Sequence, residues 1–232
     1  MTLGPAQLPV SSNLNRVILR RREYRLLFKN FFDEKITWGD PSLSTIKKTL
    51  RMNLRAQQDG RCIYCRRLIL IERRNVYEDI EHFLDKSRDQ YRRWAFNYLN
   101  LSLACHACNF EKSTKDLGAL GSQASSRYLS GVGIYRWLHP YFDDYHANVT
   151  IGKGWVYTVR QGAPAAVQAA RMIMECKLSE IETIEAYGEV IKKRIHRLTV
   201  LTGKAIKLQR YALASRLVAE SQRYQDEQWY CY

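Results

Sequence analysis

The chain has 232 residues, 46% of them hydrophobic and 26% charged, with 37 Lys+Arg against 23 Asp+Glu for a net charge of +14. That composition excludes a mostly disordered chain and leaves room for a sizeable core in one elaborated domain or two small ones. The basic excess makes a polyanion the first partner to consider, while no apolar run approaches the ~18 residues of a membrane span. Met1–Val10 carries neither a basic nor an apolar leader segment, so the expectation is a cytoplasmic protein without membrane association. Its six cysteines then read as thiols or metal ligands before disulfides.

Residues 1–58 form a basic helical region. Leu14, Val17, Ile18, Leu26, Leu27 and Phe31 recur at roughly helical spacing among Arg16, Arg20, Arg21, Arg22, Arg25 and Lys29. Such a charged face either grips phosphate or is simply solvated. A turn at 38–42 leads to a second helix from Ser44 to Gln58, ended by Asp59-Gly60. Residues 59–118 differ: they hold four cysteines and a strand-like run, Asn75 to Phe83. A Gly/Ser/Ala-rich stretch over 118–131 predicts a flexible connection into the C-terminal region, residues 119–232. A hairpin over 149–160 follows, turning at Gly152-Lys153-Gly154. Helices return after Pro164, with Ile181, Ile184, Tyr187, Ile191, Ile195 and Leu198 in one stripe and Gly203 as the expected stop. A last helix carries Ile206, Leu213 and Leu217. These stripes read as helix–helix packing or as a docking face for a partner.

Cys62-Ile-Tyr-Cys65 and Cys105-His-Ala-Cys108 are two C-x2-C knuckles. Each turns two thiolates toward one point, and two of them complete a tetrahedral set for Zn²⁺. A closed four-thiolate site has no open position, so it organises the fold and does not catalyse. Cys176, in an apolar helical segment, reads as a buried thiol. His139, Asp143, Asp144 and His146 are either a second metal site or part of a Pro-anchored aromatic turn.

Between the knuckles lie Asp79-Ile80-Glu81-His82-Phe83 and Asn100-Leu101, and Asn109 and Lys112 follow the second knuckle. Over residues 62–115 this pattern resembles the HNH, or ββα-metal, nuclease family in its zinc-stapled form. The resemblance implies an α+β protein in which a zinc-stapled ββα-metal core is embedded in a mainly helical chain. It assigns His82 as the general base that activates water, Glu81 and Asn109 as ligands of a catalytic Mg²⁺ or Mn²⁺, and Asn100 as the residue orienting the histidine. Lys112 falls where the family often meets phosphate. Chemistry supports the residue types independently: imidazole titrates near neutrality, and a carboxylate with an amide oxygen is a hard ligand set.

On a regular strand Glu81 and His82 point to opposite faces, while Asp79 shares the Glu81 face and is therefore the alternative ligand. Arg73, Arg74, Arg92 and Arg93 flank the core as phosphate contacts or as merely exposed charges. The run His82-Phe83-Leu84-Asp85-Lys86 departs from the His-Phe-x-Pro-Lys of many relatives. The Glu-His-Phe run, Trp94 and the long helical flanks are similar to the HNH subunits of Septu and retron-type anti-phage systems, which act with an ATPase partner. The expected function is metal-dependent hydrolysis of DNA with low sequence preference, RNA being an open alternative. The competing expectation is a non-catalytic, zinc-stapled module that binds nucleic acid or docks a partner.

Overall fold

The computed structural model describes residues 2–10, 21–72 and 75–230, with backbone alone at 71–72, 75–76, 182–189 and 226–230. Expectations for Leu14, Val17, Ile18, Arg16, Arg20, Arg73 and Arg74 therefore fall outside the described residues, as do those for the side chains of Ile184 and Tyr187. The described chain is mainly helical with three small antiparallel two-stranded sheets, an α+β arrangement. It divides into two compact units, one running to Gly152 and including Tyr157–Leu178, the other comprising Lys153–Val156 and the chain from Ser179 onward. None of the described helices is long and apolar enough to cross a membrane.

The first unit opens with α1 (Arg25–Phe32) and α2 (Ser44–Gln57). Pro41 begins a 3-10 turn in front of α2, and the Asp40 carboxylate accepts the Ser42 N–H at 2.9 Å, capping donors that the turn leaves unpaired. Ile46, Leu50 and Leu54 recur four residues apart on α2, and all three are buried. The strand expected over 75–83 is two pieces in separate sheets. β1 (Ile71–Glu72) pairs with β2 (Asn75–Val76), and β3 (Glu78–His82) pairs with β4 (Leu101–Cys105) in the register Glu81 to Ser102 and His82 to Leu101. The break falls at Tyr77, half of whose surface is exposed, and its carbonyl accepts the His106 N–H.

Between the two strands lies α3 (Asp89–Arg92), and α4 (His106–Lys112) starts where β4 ends. Both α2 and α4 pack on the β3–β4 hairpin. The Gln58 amide, fully buried, donates to the carbonyls of Arg61 and Leu103 and accepts the Leu103 N–H at 2.7 Å. It thereby fastens the end of α2 to the centre of β4.

Residues 113–144 contain neither helix nor strand. The stretch expected to be a flexible connection is a run of turns tied down at Ser122, which is buried and whose hydroxyl accepts the Ala119 N–H. The unit closes with α5 (Tyr145–Asn148), the hairpin β5 (Val149–Ile151) and β6 (Tyr157–Val159), and α6 (Ala166–Glu175). α7 (Leu178–Lys207) runs into the second unit, which α8 (Tyr211–Tyr230) completes. α7 continues through Gly203 to Lys207, and the chain turns just beyond it at Gln209, which takes φ +55°. One internal glycine costs a helix only about 1 kcal/mol, too little to stop a 30-residue element. Ile191 is buried and Ile195 and Leu198 are half-buried on α7, which gives that stripe the less exposed face.

Candidate metal centre and strand-end site

The four cysteines of the two knuckles converge. One sulfur from each of Cys62, Cys65, Cys105 and Cys108 lies within 4.8 Å of the others, and Cys65 Sγ is 3.9 Å from Cys105 Sγ. The first knuckle closes through the Arg66 N–H donating to the Cys62 carbonyl and the Cys62 N–H donating to the Arg67 carbonyl. Arg66 makes this turn at φ +61°, a left-handed conformation that costs a non-glycine residue roughly 1–2 kcal/mol. The second knuckle needs no special turn. Cys105 ends β4 and Cys108 sits in the first turn of α4, so the strand-to-helix junction brings the pair together.

Without a cation four clustered thiols are in conflict. The Cys105 thiol is held far below its ordinary pKa by hydrogen bonds from Cys108, Cys62 and Cys65, while the same contact with Cys105 pushes Cys65 and Cys108 up. A Zn²⁺ ion would relieve that conflict by taking all four as thiolates, and the four sulfur donors, three of them on buried residues, fit it. Arg66 supplies positive charge nearby: its guanidinium is buried, 4.1 Å from the Tyr145 ring. Burial pulls its pKa down, and Tyr145, Cys62 and Cys65 oppose that pull. Cys176 is buried beside the cluster with its sulfur 3.8 Å from the Cys108 carbonyl oxygen, outside the ligand set.

At the far end of β3 the alternation of the strand separates Glu81 from His82. Glu81 turns toward α4, where Lys112 Nζ meets its Oε1 at 2.6 Å and the Tyr64 hydroxyl donates to it at 3.0 Å. Glu81 and Lys112 side chains are 2% and 3% exposed, and burial raises the Glu81 pKa against the pull of Lys112. Lys112 also donates to the His82 carbonyl at 2.7 Å. The His82 ring lies on the other side. Its Nε2 is 3.1 Å from the Ala95 carbonyl oxygen, and the Trp38 ring packs edge-on against it at 4.4 Å. Burial drives the His82 pKa well below its ordinary value, with Lys86 and Lys112 adding to the shift, so the imidazole is neutral.

Trp38 is itself held in place. Lys47 donates to its carbonyl at 3.0 Å, and the ammonium groups of Lys47 and Lys86 stand 6.0 and 5.7 Å from its ring centre. Phe96 joins Trp38 to Phe28, Phe31 and Phe32 of α1.

Asn100 is fully buried and uses its whole amide. Nδ2 donates to the Leu84 and Trp94 carbonyls, while Oδ1 accepts the Leu84 N–H at 2.7 Å and the Tyr128 hydroxyl at 3.1 Å. It clamps the chain just past His82 to the 3-10 turn before β4. Behind Tyr128 stands His139, whose Nδ1 accepts the Tyr141 N–H, leaving Nε2 to donate to the Tyr128 oxygen at 3.0 Å. Asp143 accepts the backbone N–H groups of His139 and Gly133. These contacts make the 137–146 segment a packed aromatic turn, and among the described residues the four cysteines form the one metal-ligand cluster of His, Cys, Asp and Glu.

Asn109 faces Asp79, donating from Nδ2 to Oδ2 at 2.9 Å, and His106 Nδ1 meets the same oxygen at 3.0 Å. Arg92 donates to the Phe31 carbonyl and pairs with Glu34, and Arg93 donates to the Ser122 and Gln123 carbonyls. Both arginines are thus engaged within the chain. Trp38, Gln58 and Tyr128 take part in the site without any sequence motif to mark them, and Tyr64 does so from within the first knuckle. No family model matches the chain, and neither the curated proteins nor the solved structures include a match to it.

Proposed function

We propose that the chain is a metal-dependent endonuclease of the HNH, ββα-metal type, hydrolysing DNA phosphodiesters with low sequence preference. The observation that carries the reading is the β3–β4–α4 unit beside the four-cysteine cluster. It has Glu81-His82 at the strand end and Asn109 on the helix that faces β3, and the Asn100 amide grips the loop beyond His82. Imidazole is the side chain suited to take a proton from water near neutrality, so His82 is the candidate base, and the burial that lowers its pKa has to be relieved for it to act. A divalent cation would offset charge on the phosphate. Asn109 and the β3 carboxylate of Asp79 are hard oxygen donors suited to Mg²⁺ or Mn²⁺, whereas Glu81, the ligand that the resemblance assigns, is taken up by Lys112 and Tyr64. The +14 chain would attract the backbone of either DNA or RNA. An ATPase partner would act through the helical flanks.

The test is cleavage of plasmid DNA with Mg²⁺ or Mn²⁺ by the zinc-loaded chain. Removing the base in His82→Ala is expected to lower the rate by roughly 10²–10⁴-fold while DNA binding persists. If wild type and variant bind equally and neither cuts DNA or RNA, the nuclease reading fails. The burial of His82 under Trp38 favours a second reading, a zinc-stapled module that binds nucleic acid without cutting it. Under the first reading Trp38 must move before water and phosphate reach His82. An edge-to-face contact contributes about 0.5–1.5 kcal/mol, so Trp38→Ala is expected to raise nicking by roughly two- to tenfold. An unchanged rate with unchanged binding would show that this cover does not limit cleavage.

A further inference from the structure

Asp79, His106 and Asn109 come together between β3 and α4, two strand positions from Glu81. His106 and Asn109 are three residues apart on α4 and so share one helix face. Both reach a single oxygen of Asp79, His106 Nδ1 at 3.0 Å and Asn109 Nδ2 at 2.9 Å. These hydrogen-bond distances also match the spacing of neighbouring ligands on one octahedral ion: bonds of about 2.1 Å at right angles put donor atoms about 3 Å apart. Rotation of the Asn109 amide by half a turn presents its oxygen where the nitrogen stands.

Charge and access at this spot favour a cation, although the protein as a whole is strongly basic. Asp79 carries one negative charge. Zinc with four thiolates carries a net charge of minus two, and the ligands Cys105 and Cys108 flank His106 in sequence. The His106 side chain is 74% exposed and that of Asp79 34% exposed, so water can fill the remaining positions, as hard cations require. Glu81 offers the opposite environment. Its carboxylate is occupied by Lys112 and Tyr64, and an ion there would have to displace a buried ammonium.

We propose that Asp79, His106 and Asn109 form a surface site for one divalent cation of the Mn²⁺ class, with Glu81 outside its coordination sphere. One imidazole nitrogen with two oxygen donors suits Mn²⁺ better than Mg²⁺, which prefers oxygen alone. This names the cation site of the nuclease reading and rests on that reading only for its use in cleavage; binding itself does not depend on it.

The experiment is calorimetric titration of MnCl₂ into the zinc-loaded full chain. Wild type is compared with Asp79→Asn, His106→Gln and Glu81→Gln. One Mn²⁺ per chain is expected in wild type, weakened about tenfold or more by either of the first two changes and within about twofold of wild type in Glu81→Gln. Because Glu81 is buried, His106→Gln is the decisive variant, and pulsed EPR of bound Mn²⁺ in wild type should show imidazole-nitrogen coupling that this variant loses. Unchanged affinity in His106→Gln, absence of that coupling, or no binding in wild type overturns the site. Metal-dependent cleavage alongside any of those results would leave the nuclease reading standing. Binding at the three residues with no cleavage of DNA or RNA would instead overturn the nuclease reading and leave the site.

Discussion

Stripping zinc from the chain is expected to unfold the first unit, with loss of near-ultraviolet dichroism and release of one Zn²⁺ per molecule. The magnitudes decide this. Binding by a structural four-ligand site is worth about 10–16 kcal/mol at neutral pH, whereas a whole domain is stable by only about 5–15 kcal/mol. The apo chain would also have to bury clustered thiols with their charge uncompensated, beside an Arg66 guanidinium whose Nε and one terminal nitrogen lack hydrogen-bond partners. Cys105→Ser should reproduce the loss, because it removes one ligand at the junction of β4 and α4. Cys176→Ser is the control: its sulfur is outside the ligand set, and it should keep both zinc and fold. Retention of native dichroism after complete metal removal would show that the hydrophobic core suffices.

Lys112→Met is the second large effect, and it concerns stability before it concerns phosphate. The Lys112 ammonium is enclosed by Glu81 and the His82 carbonyl, so its removal strands a buried carboxylate. Breaking a buried pair from one side costs about 3–5 kcal/mol, enough to shift a urea midpoint far outside error. Removing both charges in Glu81→Gln/Lys112→Met should recover most of that loss, since the double change leaves no lone buried charge. A double variant as unstable as the single one would mean that the packing of the lysine stem, not its charge, is what matters. A lysine serving mainly as an exposed phosphate contact would leave the urea midpoint unchanged.

The parts of this molecule that were legible in the sequence are those encoded over short spans. Knuckle spacing puts Cys62 beside Cys65 and Cys105 beside Cys108 within a few residues of chain each. Strand alternation separates Glu81 from His82 and puts Asp79 with Glu81, and the side-chain contacts follow that pattern. What escaped is what only tertiary structure creates. Trp38 over His82, Gln58 on Leu103 and Tyr128 on Asn100 join residues that lie 28 or more positions apart and share no motif. The arginines teach a related lesson: Arg92 and Arg93 read as free positive charge, yet each is engaged with carbonyl oxygens of its own chain. Charge in a sequence has no address. The division at Tyr77 was hidden for a different reason, because strand propensity runs through it and only pairing partners reveal two sheets.

Two tyrosine hydroxyls close over the first knuckle, Tyr145 on the Tyr64 carbonyl and Tyr157 on the Cys65 carbonyl, across 81 and 92 residues of chain. A ribosome makes the chain from its N-terminus, so all four cysteines are synthesised before either tyrosine. Until those tyrosines follow, neither hydrogen bond can close over the first knuckle. Synthesis of the thiol cluster thus precedes synthesis of its cover, an order that lets a metal ion reach the cysteines before the later residues enclose them.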